Sequence, residues 1–195
     1  MEAVISSIAR HKTAYITTVI LLYAFFAACG KAQVPRLPYP TGPYRVGTEY
    51  LLLIDEDRLE PFTSDTDDVR EVTVQVWYPA EDSEADHMPY LPASGELLEA
   101  YNLPPYFTRI RTHSIRNAPI SADKKSWPVL IFNHGWGEHF AQSTNLMEDL
   151  ASHGYIVFSA AHHFEAKFTF YPDGRVLTMD GSSARFRAIM DEQRN

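Results

Sequence analysis

An α/β fold, with a central and mostly parallel sheet flanked by helices, is predicted by one continuous stretch of the sequence. Trp127-Pro128-Val129-Leu130-Ile131-Phe132 is an unbroken apolar run, the composition of a central parallel strand buried on both faces. Residues 141–152 follow with a helical pattern in which Leu146, Met147, Leu150 and Ala151 share one stripe, and Gly154 is placed to cap it. Tyr155-Ile156-Val157-Phe158-Ser159-Ala160-Ala161 then reads as a second buried strand. Strand, helix and strand joined this tightly form a βαβ unit, and its two strands run parallel.

The remaining elements follow in chain order. In residues 1–30, Arg10, His11 and Lys12 precede an apolar run over 14–29 that ends in the small residues Ala27, Ala28 and Gly30. A basic flank, a short apolar core and a small-residue exit form a secretory signal, with a signal anchor or a buried helix as the alternatives, and the run is shorter than the ~20 apolar residues of a permanent span. Cys29 is the single cysteine, so no disulfide forms within the chain. Phe26-Ala27-Ala28-Cys29-Gly30 resembles a bacterial lipoprotein box, with phenylalanine where that pattern usually has leucine. The resemblance implies lipidation of Cys29 and a membrane-anchored, exported protein of the periplasm, outer surface or extracellular space. Residues 31–43 carry Pro35, Pro38, Pro40 and Pro43 and read as an extended tether.

The folded domain is expected over 44–195. Residues 44–54 read as a strand and 55–68 as an acidic turn region. Glu71-Val72-Thr73-Val74-Gln75-Val76-Trp77-Tyr78-Pro79 alternates at period two, the pattern of a half-buried strand closed by proline. Residues 81–126 form an aromatic and proline-rich excursion with a short helix over 96–101, and it is expected to cover one side of a cleft. Residues 168–177 read as a hairpin turning at Pro172-Asp173-Gly174, and the polar terminal segment as the start of a helix.

Charge excludes one class of partner. At a net −8 the chain has no phosphate-tracking face, and Arg109, Arg111 and Arg116 are too few to make one. Nor is a metal site expected. His134, His139, His153, His162 and His163, with Glu138 and Glu165, include no His-Glu-x-x-His, and His162 and His163 point to opposite faces. No pattern specifies an oligomeric state.

The turn after the first parallel strand carries the chemistry. Ligands bind at the carboxyl edge of such sheets, and here that edge holds His134-Gly135-Trp136-Gly137. Glycines there allow a sharp turn and close backbone approach, so a backbone N–H can face a developing oxyanion. Trp127 through Gly137, then Leu150-Ala151-Ser152-His153-Gly154-Tyr155-Ile156-Val157, with Val74-Gln75-Val76-Trp77-Tyr78-Pro79-Ala80 upstream, resembles the platelet-activating factor acetylhydrolase group of α/β-hydrolases. The likeness spans residues 44–177.

This resemblance implies an α/β-hydrolase fold and serine hydrolysis of short-acyl or phospholipid carboxylic esters, without metal or organic cofactor. It implies that the Trp136 N–H is an oxyanion donor, that its indole walls the acyl pocket, and that His134, Gly135 and Gly137 scaffold the loop. The family's nucleophile sits in Gly-x-Ser-x-Gly, and no such pattern occurs here: Ala93-Ser94-Gly95 and Gly181-Ser182-Ser183-Ala184 both depart from it. The expectation is therefore an amino-terminal fragment, incomplete at its carboxyl end and inactive alone. The alternative is a non-catalytic, surface-anchored binding lipoprotein.

Overall fold

The computed structural model describes residues 34–92, 94–179 and 184–192. The expected signal over 1–30, the proposed lipidation site Cys29 and the beginning of the tether lie outside them. In chain order the described elements are β1 (Arg45–Leu59), β2 (Val69–Ala80), β3 (His87–Pro89), α1 (Ser94–Tyr101), a single 3-10 turn (Pro105–Arg109), β4 (Arg111–Arg116), β5 (Val129–Asn133), α2 (Thr144–Ser152), β6 (Ile156–Ala160), β7 (Phe168–Phe170), β8 (Val176–Thr178) and α3 (Ala184–Glu192).

Six strands form one mixed sheet in the order β3-β4-β1-β2-β6-β5. The long β1–β2 ladder is antiparallel, as are β2–β6 and β3–β4, whereas β1–β4 and β5–β6 are parallel. The expected βαβ unit is present as β5-α2-β6, and β7–β8 is the expected hairpin. Gly154 closes α2 at φ +96°, and its N–H bonds the Ala151 carbonyl at 3.0 Å. That left-handed conformation costs glycine little and any L side chain more.

Helix α2 packs on one face of the sheet, where Met147 and Ala151 meet Val46, Trp77 and Val157. Val74, Val76, Tyr78 and Ala80 fill the opposite face with Ile115 and Ala118. Strand β2 is consequently buried on both faces from Thr73 to Ala80, rather than half-buried. Its alternating polar residues lie inside the core instead of in solvent: Gln75 Nε2 donates to Thr48 Oγ1 at 3.1 Å, while Gln75 Oε1 and the Thr73 hydroxyl are buried without a partner. Period two registers only that the two faces differ, and here one face is a polar interior.

Two further expectations are corrected. Residues 81–126 are not an excursion outside the sheet, because β3 and β4 are two of its strands. Strand β4 was illegible because its inward residues Thr112 and Ser114 are polar and buried. The aromatic part does pack inward, with Leu91 and Leu97 against Phe140, Phe168 and Phe170, and Tyr101 and Phe107 beside them. Strand β5, expected to be central, stands at the sheet's edge, with β6 as its sole partner among the described residues. Val129, Leu130 and Ile131 are 55%, 36% and 73% exposed. An apolar edge with unpaired backbone groups is a template for association.

The buried carboxylate of Glu148 locks α2 to β4. Its Oε1 accepts from the His113 N–H at 2.6 Å, the Ser114 N–H at 2.7 Å and the Ser114 hydroxyl. Burial pushes the carboxyl above the usual range while those donors pull it back, and Oε2 is buried without a partner. The described part of the tether is tied to the domain. His113 Nε2 donates to the Leu37 carbonyl at 3.0 Å, and the Thr41 N–H donates to Asp149 at 2.7 Å.

Two outcomes follow from this packing. Glu148→Ala should cost about 3 kcal/mol, because it orphans two buried amides and a hydroxyl, and Glu148→Gln should cost less. Urea denaturation measures both, and equal losses would mean that the acceptor is unimportant. Ile131→Lys should slow aggregation of the purified chain in light scattering, with its thermal midpoint little changed.

Candidate active site

Parallel strands leave a sheet at the same edge, and the β5–β6 register pairs Asn133 with Ala160. The loops that follow, residues 134–139 and 162–167, therefore emerge side by side. Three hydrogen bonds join these segments. The His162 N–H donates to His134 Nε2 at 3.1 Å, Gly137 N–H to the Glu165 carbonyl at 3.1 Å, and Lys167 N–H to the Glu138 carbonyl at 2.8 Å. Behind them the buried Ser159 hydroxyl donates to the Phe140 carbonyl at 2.6 Å. The first loop is itself a tight turn, with Glu138 N–H on the Gly135 carbonyl at 3.1 Å and Gly137 at φ +72°.

His134 is a brace by geometry. Because Nε2 accepts the His162 amide, its proton sits on Nδ1, which donates to the Gly135 carbonyl at 2.8 Å. Both nitrogens are thus engaged. Burial pushes its pKa below the ordinary histidine range, against the pull of the Gly135 carbonyl.

The amides of Gly135 and Trp136 are differently placed from that of Gly137. Among the described residues neither donates to a backbone carbonyl or a side chain. Beside them lies a cavity of about 210 Å³ lined by His134, Trp136, His162 and Glu165. The Trp136 indole stands at its rim, 64% exposed. Gly135 is notable for what surrounds it. A Cβ there would meet only Glu138 Cγ, at 3.9 Å, and its φ is not positive. Packing within the chain does not demand glycine at 135, and the bare Cα leaves open space beside it.

The five histidines do not gather in one cluster. His134 and His162 stack edge to face with centroids 4.6 Å apart. His139 packs on Phe168, and His153 contacts Thr41 at 3.0 Å. His163 is buried on the other side of the strand end, accepting from the Thr73 N–H at 3.1 Å and contacting the Tyr171 hydroxyl at 3.0 Å. Sequence reasoning did not assign His162 and Glu165 to the loop site. Their signal was the parallel pair itself, since residues just past two paired strand ends are neighbours. Phe164 was also missed: it sits at φ +66° and stacks on Phe62 with centroids 5.3 Å apart. A non-glycine residue there costs roughly 1–2 kcal/mol.

Three measurements test this geometry. Gly137→Ala should lose about 1 kcal/mol of stability, from conformation alone, since nothing lies within 4 Å of the added Cβ. Gly135→Ala should stay within about 0.5 kcal/mol of wild type in the same denaturation series. For His163, burial and then the Arg70 and Arg175 charges push the pKa down to about 4. The unfolded chain therefore takes that proton first, and the stabilisation is complete above about pH 6.5 and lost as pH falls toward 4. Wild type should lose more stability than His163→Gln across that window; parallel curves would exclude the histidine as the cause.

Comparison with known proteins bears on this arrangement. Residues 29–178 match the family described as platelet-activating factor acetylhydrolase, isoform II. Among solved structures, a ferulic acid esterase from Streptomyces cinnamoneus is similar, with a TM-score of 0.67 and 27% identity. The similarity covers 83% of this chain and 48% of that one, so the chain spans about half the esterase's length. No curated protein matches. The mixed sheet with its β5-α2-β6 unit is of the α/β-hydrolase type, and with the family match over most of its length this chain belongs to the platelet-activating factor acetylhydrolase isoform II family.

Proposed function

We propose that this chain carries the oxyanion loop of a serine hydrolase acting on carboxylic esters with short acyl chains, including phospholipid esters. The observation that carries this reading is an unpaired Trp136 N–H on a loop that is otherwise tied down. A preorganised donor of this kind is worth about 2.7–4 kcal/mol to an oxyanion-forming transition state, because no reorganisation is needed as charge develops. The structural neighbour, itself described as an esterase, agrees in reaction class.

In the proposed reaction a serine hydroxyl attacks the ester carbonyl, and the carbonyl oxygen becomes an anion that accepts from the Trp136 N–H. Collapse expels the alcohol and leaves an acyl-serine, which water hydrolyses. His134 is not the base of this scheme, since the lone pair that would take the serine proton already accepts the His162 amide. No Gly-x-Ser-x-Gly turn occurs in these 195 residues, and in the proposed reaction the serine, with its acid and base, comes from outside this sequence. The open β5 edge, beside the loop, is where a nucleophile-bearing strand would pair.

A fluorophosphonate should fail to label the 195-residue chain, and labelling would place a reactive serine within it. In a chain that includes the nucleophile turn, Trp136→Pro should lower kcat by roughly 10²–10³ with little change in KM. Unchanged hydrolysis would remove Trp136 from the mechanism. Ligand binding without hydrolysis by the longer chain would favour a binding protein.

We also propose export and lipid anchoring at Cys29, a reading supported by the composition of residues 1–30. Radiolabelled palmitate should be incorporated on expression in a bacterial host and lost in Cys29→Ala. Incorporation by both would refute anchoring at that residue.

A further inference from the structure

A second hollow, of about 170 Å³, lies between β1, the end of β4 and the β7–β8 hairpin. Tyr50, Arg116, Phe170, Tyr171 and Arg175 are among the residues that line it. The β1–β4 register sets Arg116 beside Thr48, and Tyr50, two residues further along β1, projects to the same face as Thr48.

The two arginines are in different electrostatic situations. Arg175 is committed: its Nη2 meets Glu71 at 3.1 Å, its Nε meets Asp173 at 2.7 Å, and the guanidinium lies 4.1 Å above the Tyr171 ring. Arg116 has no carboxylate within 4.0 Å among the described residues, although its backbone N–H is used by the Asp86 carbonyl at 3.0 Å. The Tyr50 hydroxyl is buried and has no hydrogen-bond partner. Its ring is held edge-on against Phe140, with centroids 5.9 Å apart, so the phenol cannot easily swing out to water. Burial also keeps it protonated, raising its pKa above the usual tyrosine range, and the Arg116 charge acts on it from nearby.

The hollow thus offers an unneutralised guanidinium and an unused phenolic O–H between aromatic walls. Both polar groups can donate, and a guanidinium cannot accept. We propose that this hollow binds a single oxyanionic group, a phosphate or a carboxylate, held by Arg116 and Tyr50. Ligand pockets that enclose whole molecules start at about 300 Å³, so a space of this size takes one charged group and leaves the rest of its molecule outside. The site makes no use of the Trp136 loop, and the two readings stand or fall separately.

The test is calorimetric titration of the full 195-residue chain with inorganic phosphate and, separately, with acetate, ionic strength being held constant with sodium chloride. Saturable binding of at least one anion is expected, and the stronger of the two identifies the chemistry. Arg116→Gln should weaken it at least tenfold, Tyr50→Phe several-fold, and Arg116→Lys less than Arg116→Gln. Circular dichroism of each variant should match wild type, because Arg116 is exposed and Tyr50→Phe removes only a hydroxyl. Absence of saturable binding by either anion, or equal affinity in wild type and Arg116→Gln, would overturn the proposal.

Discussion

Two strands that run parallel must leave the sheet at the same edge, and in this chain β5 and β6 do so in a register that pairs Asn133 with Ala160. Everything at the loop site depends on that pairing. It brings His134 within reach of the His162 amide, and it sets Gly137 and Glu138 opposite Glu165 and Lys167. Each tie uses backbone groups that would otherwise be unsatisfied, so the loop is held by the same accounting that holds the sheet. The Trp136 amide is left out of that accounting. A donor fixed in place and unpaired can be used by a ligand without first breaking a bond within the protein.

The rest of the fold supports the strand pair through a polar interior. Glu148 reaches from α2 to the backbone of β4, Gln75 bonds Thr48 across the β1–β2 ladder, and His163 accepts the Thr73 amide. Buried polar contacts of this kind contribute little net energy when complete and cost much when one partner is removed. They fix which strand lies beside which, whereas apolar packing by Met147, Ala151, Trp77 and Val157 supplies the burial. The neutral state of His163 belongs to this scheme, since protonation of Nε2 would abolish the acceptor that Thr73 uses.

Charge is distributed unevenly around the carboxyl edge of the sheet. Glu165 faces the loop hollow, while Arg116 lines the hollow next to β1 without a carboxylate to neutralise it. The same edge of the molecule therefore presents two environments built on different elements: a backbone donor beside β5 and β6, and a guanidinium with a buried phenol beside β1 and β4. The apolar outer side of β5 is a third feature, a strand with the composition of a sheet interior and the exposure of a surface.

Local composition by itself determined the elements whose patterns are apolar and short in range. The β5-α2-β6 unit, the Gly154 cap, the β7–β8 hairpin and the short helix α1 were legible because burial, helical periodicity and turn chemistry act between residues close in sequence. The His-Gly-x-Gly turn was legible as a loop at a strand's carboxyl end for the same reason. Tertiary structure alone decided the place of β4, whose Thr112 and Ser114 look like loop residues until Met88 and Glu148 supply their hydrogen bonds. It also decided that β2 has two buried faces and that β5 lies at an edge, because strand order is a property of partners and not of a strand's own residues. The partnership of His134 with His162 and the shared hollow of Arg116 and Tyr50 belong to this second class: each pair is distant in the chain and is brought together by strand register.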